Sequence, residues 1–397
     1  MLKKNKYGII VCGAGPAGSS AAKAAAEAGA DVLLIEKKQE TGTPLRCGEA
    51  SGSKDEISRF IKIDHKWISA EINAVRVKSD NAEFQKEIPS AGLVLDRKIF
   101  DRELALSAVK SGADFLPCAC LTGVKMSGKG QIKSAEVLHF GEKISINADI
   151  FIGADGPCST LAKAAGLKTK HKKKEFASGL QYLAAPVENL REDCLHFFIT
   201  SKKGYFWAFP KGGKVFNIGT GWIPDYPEQS VMKNELDSFM RKNFPKASVV
   251  EIHAGGIPGD GGLKEIVRGN LAVIGDAAHH IHPLSGGGIM NALEDGLWAG
   301  KAAAEASKDP KNAERHLKEY EKAFASKNKK SFRWGRRFRN VLYSMSGKEI
   351  DTVISGAEKM LESFDRKKIM SPEFLKLILK SSPLFLRKAG ALFGFKK

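Results

Sequence analysis

The sequence holds 397 residues, 43% hydrophobic and 27% charged, enough to bury the cores of two domains or more without disulfides. Sixty-three basic residues against 45 acidic ones leave a formal net charge of +18, a field that favours anionic partners such as anionic lipid or acidic protein. No apolar run approaches the ~18 residues of a membrane span, no nucleic-acid recognition motif stands out, and the six cysteines hold neither a CxxC pair nor metal-ligand spacing.

Tyr7 to Cys12 is a short uncharged apolar run, as a buried parallel strand requires. It begins too early to leave room for a signal peptide, so a reduced, cytoplasmic setting is expected. The run enters Gly13-Ala14-Gly15-Pro16-Ala17-Gly18 and then a small-residue helix, Ser19 to Ala28. Gly29 and Ala30 turn the chain into a second strand, Asp31 to Ile35, which ends on Glu36. Gly13 permits a tight turn, Gly15 lets the backbone approach a pyrophosphate, and Gly18 lets the helix pack closely on the sheet. A diphosphate is expected at the helix N-terminus, where free N–H groups and the dipole favour anions. Glu36 lies at the distance where an acid takes ribose hydroxyls in such units.

Gly42 to Glu49 reads as a turn-rich loop too polar for a core. Residues 70 to 94 read as strands with turns, followed by a helix near Lys98 to Ser111. Ala113 to Cys120 and Gly123 to Phe140 suggest strands, with Gly128-Lys129-Gly130 as a hairpin turn. Ala148 to Ile152 is another buried strand, closing on Gly153-Ala154-Asp155-Gly156. A β-rich block runs from about Phe176 to Gly221, and Leu271 to Ile274 repeats the apolar strand, closing on Gly275-Asp276-Ala277-Ala278. A small-residue helix follows, about Gly288 to Ala306, and the chain from Asn312 onward is helical and basic. The segments 13–18, 153–156 and 275–278 therefore converge on one crevice, where open α/β sheets bind ligands.

Three of these motifs, the glycine loop with Glu36, Gly153 to Gly156, and Gly275-Asp276 with Pro283 and Gly286-Gly287-Gly288-Ile289, resemble the FAD-dependent oxidoreductases of the para-hydroxybenzoate-hydroxylase fold. Pro44-Leu45-Arg46-Cys47-Gly48-Glu49 and Tyr205-Phe206-Trp207-Ala208-Phe209-Pro210-Lys211 are similar to two segments of the geranylgeranyl reductases within that fold, one beside the flavin ring and one lining a lipid site. The chain departs from archaeal members at His279 and His282, where Arg and Asp are frequent, and at Ala50, where Gly often stands. His279 keeps a hydroxylase open.

The resemblance implies an α/β fold: a Rossmann-type FAD-binding domain (1–70, 92–170 and 265–310) interrupted by a mainly antiparallel sheet domain for substrate (71–91 and 171–264), with C-terminal helices from 311 to 397. It implies FAD as cofactor, held by Gly13, Ala14, Gly15, Ala17, Gly18, Glu36, Lys37, Arg46, Cys47, Gly48, Ala50, Arg97, Leu121, Asp155, Gly156, Asp276, Gly286, Gly287, Gly288 and Ile289. It implies saturation of C=C bonds in geranylgeranyl chains of an isoprenoid lipid, with a flavin monooxygenase as the alternative; no second fingerprint points to a nicotinamide electron donor.

Several residues keep two readings. Asp276 contacts the ribityl chain or caps a turn, and Asp155 approaches the flavin or caps a turn. Arg97 touches FAD or makes a surface salt bridge. Arg46 is expected to lower the thiol pKa of Cys47, which is either chemical or packing. Tyr205, with Cys47, is a candidate beside the reacting bond. Tyr205, Trp207 and Phe209 alternate, so they share a face that is core or pocket wall. His279, His280 and His282 lack a carboxylate or cysteine partner in their spacing, and no metal is expected. The basic and aromatic run Lys329 to Arg339, the apolar and basic stretch from Phe374 to Lys397, and Lys172-Lys173-Lys174 read either as contacts to an anionic membrane face or as packing and solvated surface.

Overall fold

The structure, a computed structural model, describes residues 2–128, 130–169, 176–200, 204–222 and 229–361. Lys172 to Lys174 and the stretch from Phe374 to Lys397 lie outside the described residues.

Among the described residues, two eight-stranded sheets carry the fold. The first runs in the order β15 (Val267–Arg268), β16 (Leu271–Val273), β9 (Glu142–Gly153), β1 (Lys6–Cys12), β2 (Val32–Ile35) and β6 (Asp114–Leu116). The hairpin β7 (Ala119–Met126) and β8 (Ile132–His139) joins it through β9. Its central strands are parallel and buried over residues 9–12, 32–35, 150–153 and 271–273, which is why these stretches read as unbroken apolar runs. Register places the ends together: Cys12 pairs with Gly153, and Gly153 pairs with Val273. The loops leaving these three residues therefore open on one edge, as the motifs imply.

The second sheet runs β14 (Ser248–Pro258), β10 (Phe176–Ala185), β13 (Val215–Trp222), β12 (Gly204–Gly212), β11 (Cys194–Ile199), β4 (Ile68–Lys78), β5 (Glu83–Leu95) and β3 (Ala50–Ser51). Only the β4–β11 pair is parallel among its described pairings. The β4–β5 hairpin is longer at both ends than residues 71–91, and Ala50–Ser51 joins this sheet by pairing with Leu93 and Val94.

Helix α1 (Pro16–Glu27) fills the β1–β2 crossover, and α2 (Lys54–Ser58), α3 (Arg97–Lys110) and α4 (Thr160–Ala164) follow. Beyond them come α5 (Gln229–Asn243), α6 (Ile289–Lys308), α7 (Ala313–Leu342) and α8 (Gly347–Leu361). The sequence reading does not anticipate α5. It covers one face of the second sheet, where Leu236, Met240 and Phe244 pack on Phe206, Ala208, Phe216 and Ile218. The alternate residues of the same strand are left for the other face.

Two local differences have plain causes. The strand expected over 113–120 breaks after Leu116, because Pro117 has no N–H to donate and Cys118 turns at φ +54°. On α7 two of the three aromatic residues of the basic run are buried, Phe332 in the main core and Phe338 in a second cluster with Val341 and Ile350, and Trp334 packs partly buried against that cluster. Packing thus accounts for the rings, while Lys329, Lys330, Arg333, Arg336 and Arg337 remain exposed.

Helices α1 and α6 meet backbone to backbone. A Cβ on Gly296 would overlap the Ala17 carbonyl oxygen, and one on Gly300 would overlap that of Ala21. Small residues on both helices make this approach possible.

Candidate active site

The glycine loop is built by steric necessity. Gly13 sits at φ +103°, a region that costs residues bearing a Cβ, and its Cβ would overlap the Ala154 carbonyl oxygen. A Cβ on Gly18 would overlap the Gly13 carbonyl oxygen, whereas one on Gly15 would meet nothing within 4 Å. Gly15 is also the N-cap of α1 and offers no side chain to its free N–H groups. The open volume therefore lies where an anion would sit. Glu36 is buried and braces the loop: Ala14 N–H donates to its Oε2 at 2.8 Å and Lys38 N–H to its Oε1 at 3.0 Å. Lys37 is exposed. Leu121 stands on β7, two residues after Ala119, whose N–H donates to the Glu36 carbonyl at 2.8 Å.

At the other end of the crevice, Asp276 makes no side-chain hydrogen bond among the described residues. Burial pushes its carboxyl pKa up, against Arg97, His279 and His280, which pull it down. Gly288, the N-cap of α6, again supplies no capping side chain, and its Cβ position lies 3.4 Å from Asp276 Oδ1. Two open helix N-termini and a partly buried carboxylate without a partner thus face one crevice. Asp155 turns out differently. Its carboxylate accepts from Ser159 Oγ at 2.5 Å, Thr160 N–H at 2.7 Å and Leu161 N–H at 3.1 Å, so it braces the start of α4. Burial raises its pKa and these donors lower it. Gly156 beside it, at φ +84°, has open space at its Cβ position.

The loop from Arg46 to Glu49 is pinned to the second sheet. Glu49 is 2% exposed, so this loop is not merely polar surface. Its Oε2 accepts from Lys211 Nζ and from Asn217 Nδ2, both at 2.6 Å, and its Oε1 accepts from Arg97 N–H at 2.8 Å. Lys211 also donates to the Leu95 carbonyl at 2.7 Å. Glu49 holds φ +71°, a left-handed conformation maintained by these contacts. Next to it, Gln181 donates to the Cys47 carbonyl at 3.1 Å and accepts from Trp207 Nε1 at 2.9 Å. Glu49, Lys211, Asn217 and Gln181 are the residues that the sequence analysis does not assign. A signal was present: the two family segments end on Glu49 and Lys211, opposite charges.

Arg46 is exposed and packs on β14 at Gly255; it does not set the Cys47 thiol. Burial raises that thiol's pKa, and the charge that opposes burial is Arg97. Arg97 is no surface salt bridge. Its Nε and Nη2 reach Asp101 at 2.7 Å each in a largely buried pair. Burial works against its charge, and Asp101 and Cys47 more than restore it.

Tyr205, Trp207 and Phe209 do share one face. With Phe197 they form an aromatic wall, the Trp207 and Phe209 rings 6.2 Å apart and nearly parallel. Gly48 lies against it, its Cβ position 3.1 Å from Phe209, and Ala50 packs on its edge. Tyr205 Oη donates to the Ser285 carbonyl at 2.8 Å, tying the wall to the loop of exposed Gly286 and Gly287. Burial, then Tyr343, raises the phenol's pKa. Ile289 enters a neighbouring apolar cluster with Leu293.

The spacing of the histidines offers no acid partner; the fold brings acids from elsewhere. His279 Nδ1 lies 2.8 Å from Asp260, and His280 Nδ1 lies 2.6 Å from Asp295. No group of three His, Cys, Asp or Glu suited to a metal occurs among the described residues. His282 sits beside Phe332 of α7, where burial lowers its pKa to about 4. An unfolded His titrates near ~6.5, so the neutral ring's contribution is complete above that pH and is lost as pH falls through about 4. Thermal melts should show stability falling by about 1.4 kcal/mol per pH unit across this window from this group alone. A His282→Asn variant should have a flatter profile there; an unchanged slope would refute the assignment.

The comparisons with known proteins agree with this geometry. A family model described as FAD binding domain matches residues 6–331. Digeranylgeranylglycerophospholipid reductase 2 of Methanosphaera stadtmanae is 36% identical, over 97% of this chain and 99% of its own. Digeranylgeranylglycerophospholipid reductase 1 of Methanococcoides burtonii is 32% identical, over 99% and 97%. The chain belongs to the digeranylgeranylglycerophospholipid reductase family. FAD is its cofactor.

Among solved structures, a geranylgeranyl bacteriochlorophyll reductase-like protein from Thermoplasma acidophilum superposes with a TM-score of 0.90 at 30% identity, covering 98% of this chain and 99% of that one. The flavin-dependent brominase Bmp2 matches with a TM-score of 0.68 at 16% identity over 98% and 99%, which shows the fold alone. For a member of this family the residues present suit the cofactor: bare helix N-termini for its diphosphate and ring edge, Glu36 at the ribose distance, and a partly buried, unpartnered Asp276.

Proposed function

We propose that the chain saturates C=C bonds in geranylgeranyl chains, most directly on an isoprenoid phospholipid precursor, as a step in membrane-lipid synthesis. The observation that carries this reading is the loop from Arg46 to Glu49, locked by Glu49 and Lys211 onto an aromatic wall beside the crevice, in a chain whose relatives bear the reductase name.

Reduced FAD, when bound, supplies the hydride. An isolated alkene is not polarised, so the protein must contribute by holding the bond close and aligned. Trp207 and Phe209 offer the apolar surface for the chain, and Tyr205 closes one end through Ser285. A proton must reach the second alkene carbon. Cys47 suits this, because burial keeps its thiol protonated at neutral pH. The thiolate left behind would be held by Arg97 and by the Glu49 N–H, which already donates to Sγ at 3.2 Å. Tyr205 is second choice, since its proton is engaged by the Ser285 carbonyl.

Anaerobic incubation of the reduced enzyme with an unsaturated isoprenoid phospholipid should yield products heavier by pairs of hydrogens in mass spectrometry. Oxygen consumption driven by reduced nicotinamide, without such products, would replace this reading with a monooxygenase. Cys47→Ala should lower turnover by about 10²–10⁴-fold with flavin still bound; undiminished turnover would assign the acid elsewhere. No helix among the described residues is long and apolar enough to cross a membrane. Contact with a lipid surface would then be peripheral and, with Phe332 and Phe338 buried, largely electrostatic.

A further inference from the structure

Apart from the crevice, α7 and the segment 260–266 enclose a cleft of about 460 Å³. Its floor is largely apolar. Phe324 and Phe332 are buried there, and the His280 ring stacks on Phe324 with centroids 3.4 Å apart while Asp295 holds its Nδ1. Its rim is cationic. Lys329, Arg333 and Arg336 follow at i, i+4 and i+7 on α7, so they share one helix face, and Lys264 joins them from the segment opposite.

These charges are not neutralised from within. Lys264, Lys329 and Arg333 form no ion pair or hydrogen bond among the described residues, and Arg336 donates only to the Asp260 carbonyl, at 3.3 Å. From Lys322 to Arg339 the helix contains no acid. Of the two acids lining the cleft, Asp260 is engaged by His279, leaving Glu321. Three neighbouring lysines on α6 and α7 differ: Lys308, Lys318 and Lys322 each pair with a glutamate three or four residues away. Like charges spaced i, i+4 repel, so a run without acids gains most from an anion of several oxygens lying among them. Guanidinium and ammonium donors around one concavity match a phosphate, with Arg333 and Arg336 offering paired N–H groups and the lysines point charges.

We propose that this cleft is a phosphate-binding subsite distinct from the flavin crevice. The phosphate comes either from a glycerophospholipid headgroup or from a free phosphate compound; binding at the cleft does not depend on the reductase reading.

The test uses the full-length, FAD-loaded protein. Inorganic pyrophosphate and glycerol phosphate are titrated calorimetrically against chloride of equal ionic strength, and vesicles of phosphatidylglycerol are compared with vesicles of phosphatidylcholine. The same titrations are run on Lys329→Glu/Arg333→Glu. Saturable binding that weakens by about tenfold or more in the variant supports the subsite. The variant's flavin absorbance and melting temperature must stay those of the parent, which separates loss of the cleft from loss of the fold or cofactor. Displacement of glycerol phosphate by phosphatidylglycerol vesicles identifies a headgroup; binding of pyrophosphate with no preference between vesicles identifies a free phosphate. No saturable binding of either phosphate, or equal binding by parent and variant, overturns the proposal.

Discussion

Glu49→Ala is expected to destabilise the protein by about 3–5 kcal/mol and to release the loop that carries Cys47. Lys211 is the reason. Its side chain is 12% exposed, so removing its partner leaves a cation in the interior with one carbonyl for company. The Arg97 N–H loses its acceptor in the same step, and Asn217 Nδ2 keeps only the Gly48 carbonyl at 3.4 Å. Urea denaturation should show a lower midpoint with little change in slope. The pair can be isolated by a double-mutant cycle: Glu49→Ala/Lys211→Met should be more stable than Glu49→Ala, because the orphaned charge is gone. If the double variant is less stable than the single one, the penalty does not come from the buried cation. A second readout is flavin retention, which should fall in Glu49→Ala even where the fold survives.

Two alanine substitutions only three residues apart should behave differently. In Gly18→Ala the new methyl has no room: it overlaps the Gly13 carbonyl oxygen and comes 3.1 Å from the Ala154 Cβ. The loop must open, at a cost of about 1–3 kcal/mol or more, and the protein should purify without flavin colour. Gly15→Ala faces open space within the protein, so its melting temperature should hold. Its methyl instead occupies volume meant for the diphosphate. FAD affinity should fall by about 100-fold, near 2.7 kcal/mol, measured by flavin fluorescence titration. A Gly15→Ala protein that binds FAD normally would move the diphosphate away from α1.

What could be read in advance follows from which features are local. The βαβ unit from Tyr7 to Glu36 declares itself because strand, glycine turn, helix and acid are consecutive, and parallel strands buried on both faces leave unbroken apolar runs. The convergence of Gly13, Ala154 and Gly275 is legible for the same reason, since each follows the end of such a strand. The face shared by Tyr205, Trp207 and Phe209 follows from the two-residue period of any strand. Partnerships across the chain are not legible in this way. Arg46 is next to Cys47 in sequence, yet the charge beside the thiol is Arg97, brought there by the turn at Glu49 and the start of α3. Asp260 and Asp295 reach His279 and His280 from fifteen residues away or more, so the histidines' own spacing gives no hint of them. The basic, aromatic half of α7 reads equally as membrane contact or as packing, because period alone does not say what covers an apolar stripe. The fold assigns Phe332 and Phe338 to the core and the charges, Arg339 excepted, to the outside.

The backbone seam between α1 and α6 has a consequence for the cofactor. Each of these helices begins at one end of the crevice, α1 at Gly15 and α6 at Gly288, and where Gly296 and Gly300 meet Ala17 and Ala21 only methyl groups and the short Ser20 side chain, tied to the Leu293 carbonyl at 2.7 Å, lie between them. A spacer made of leucines could yield by changing rotamer; one made of main chain cannot. The span from phosphate cradle to ring cradle is therefore a fixed gauge, and a dinucleotide of the wrong length should be rejected by geometry before any of its atoms is chemically inspected.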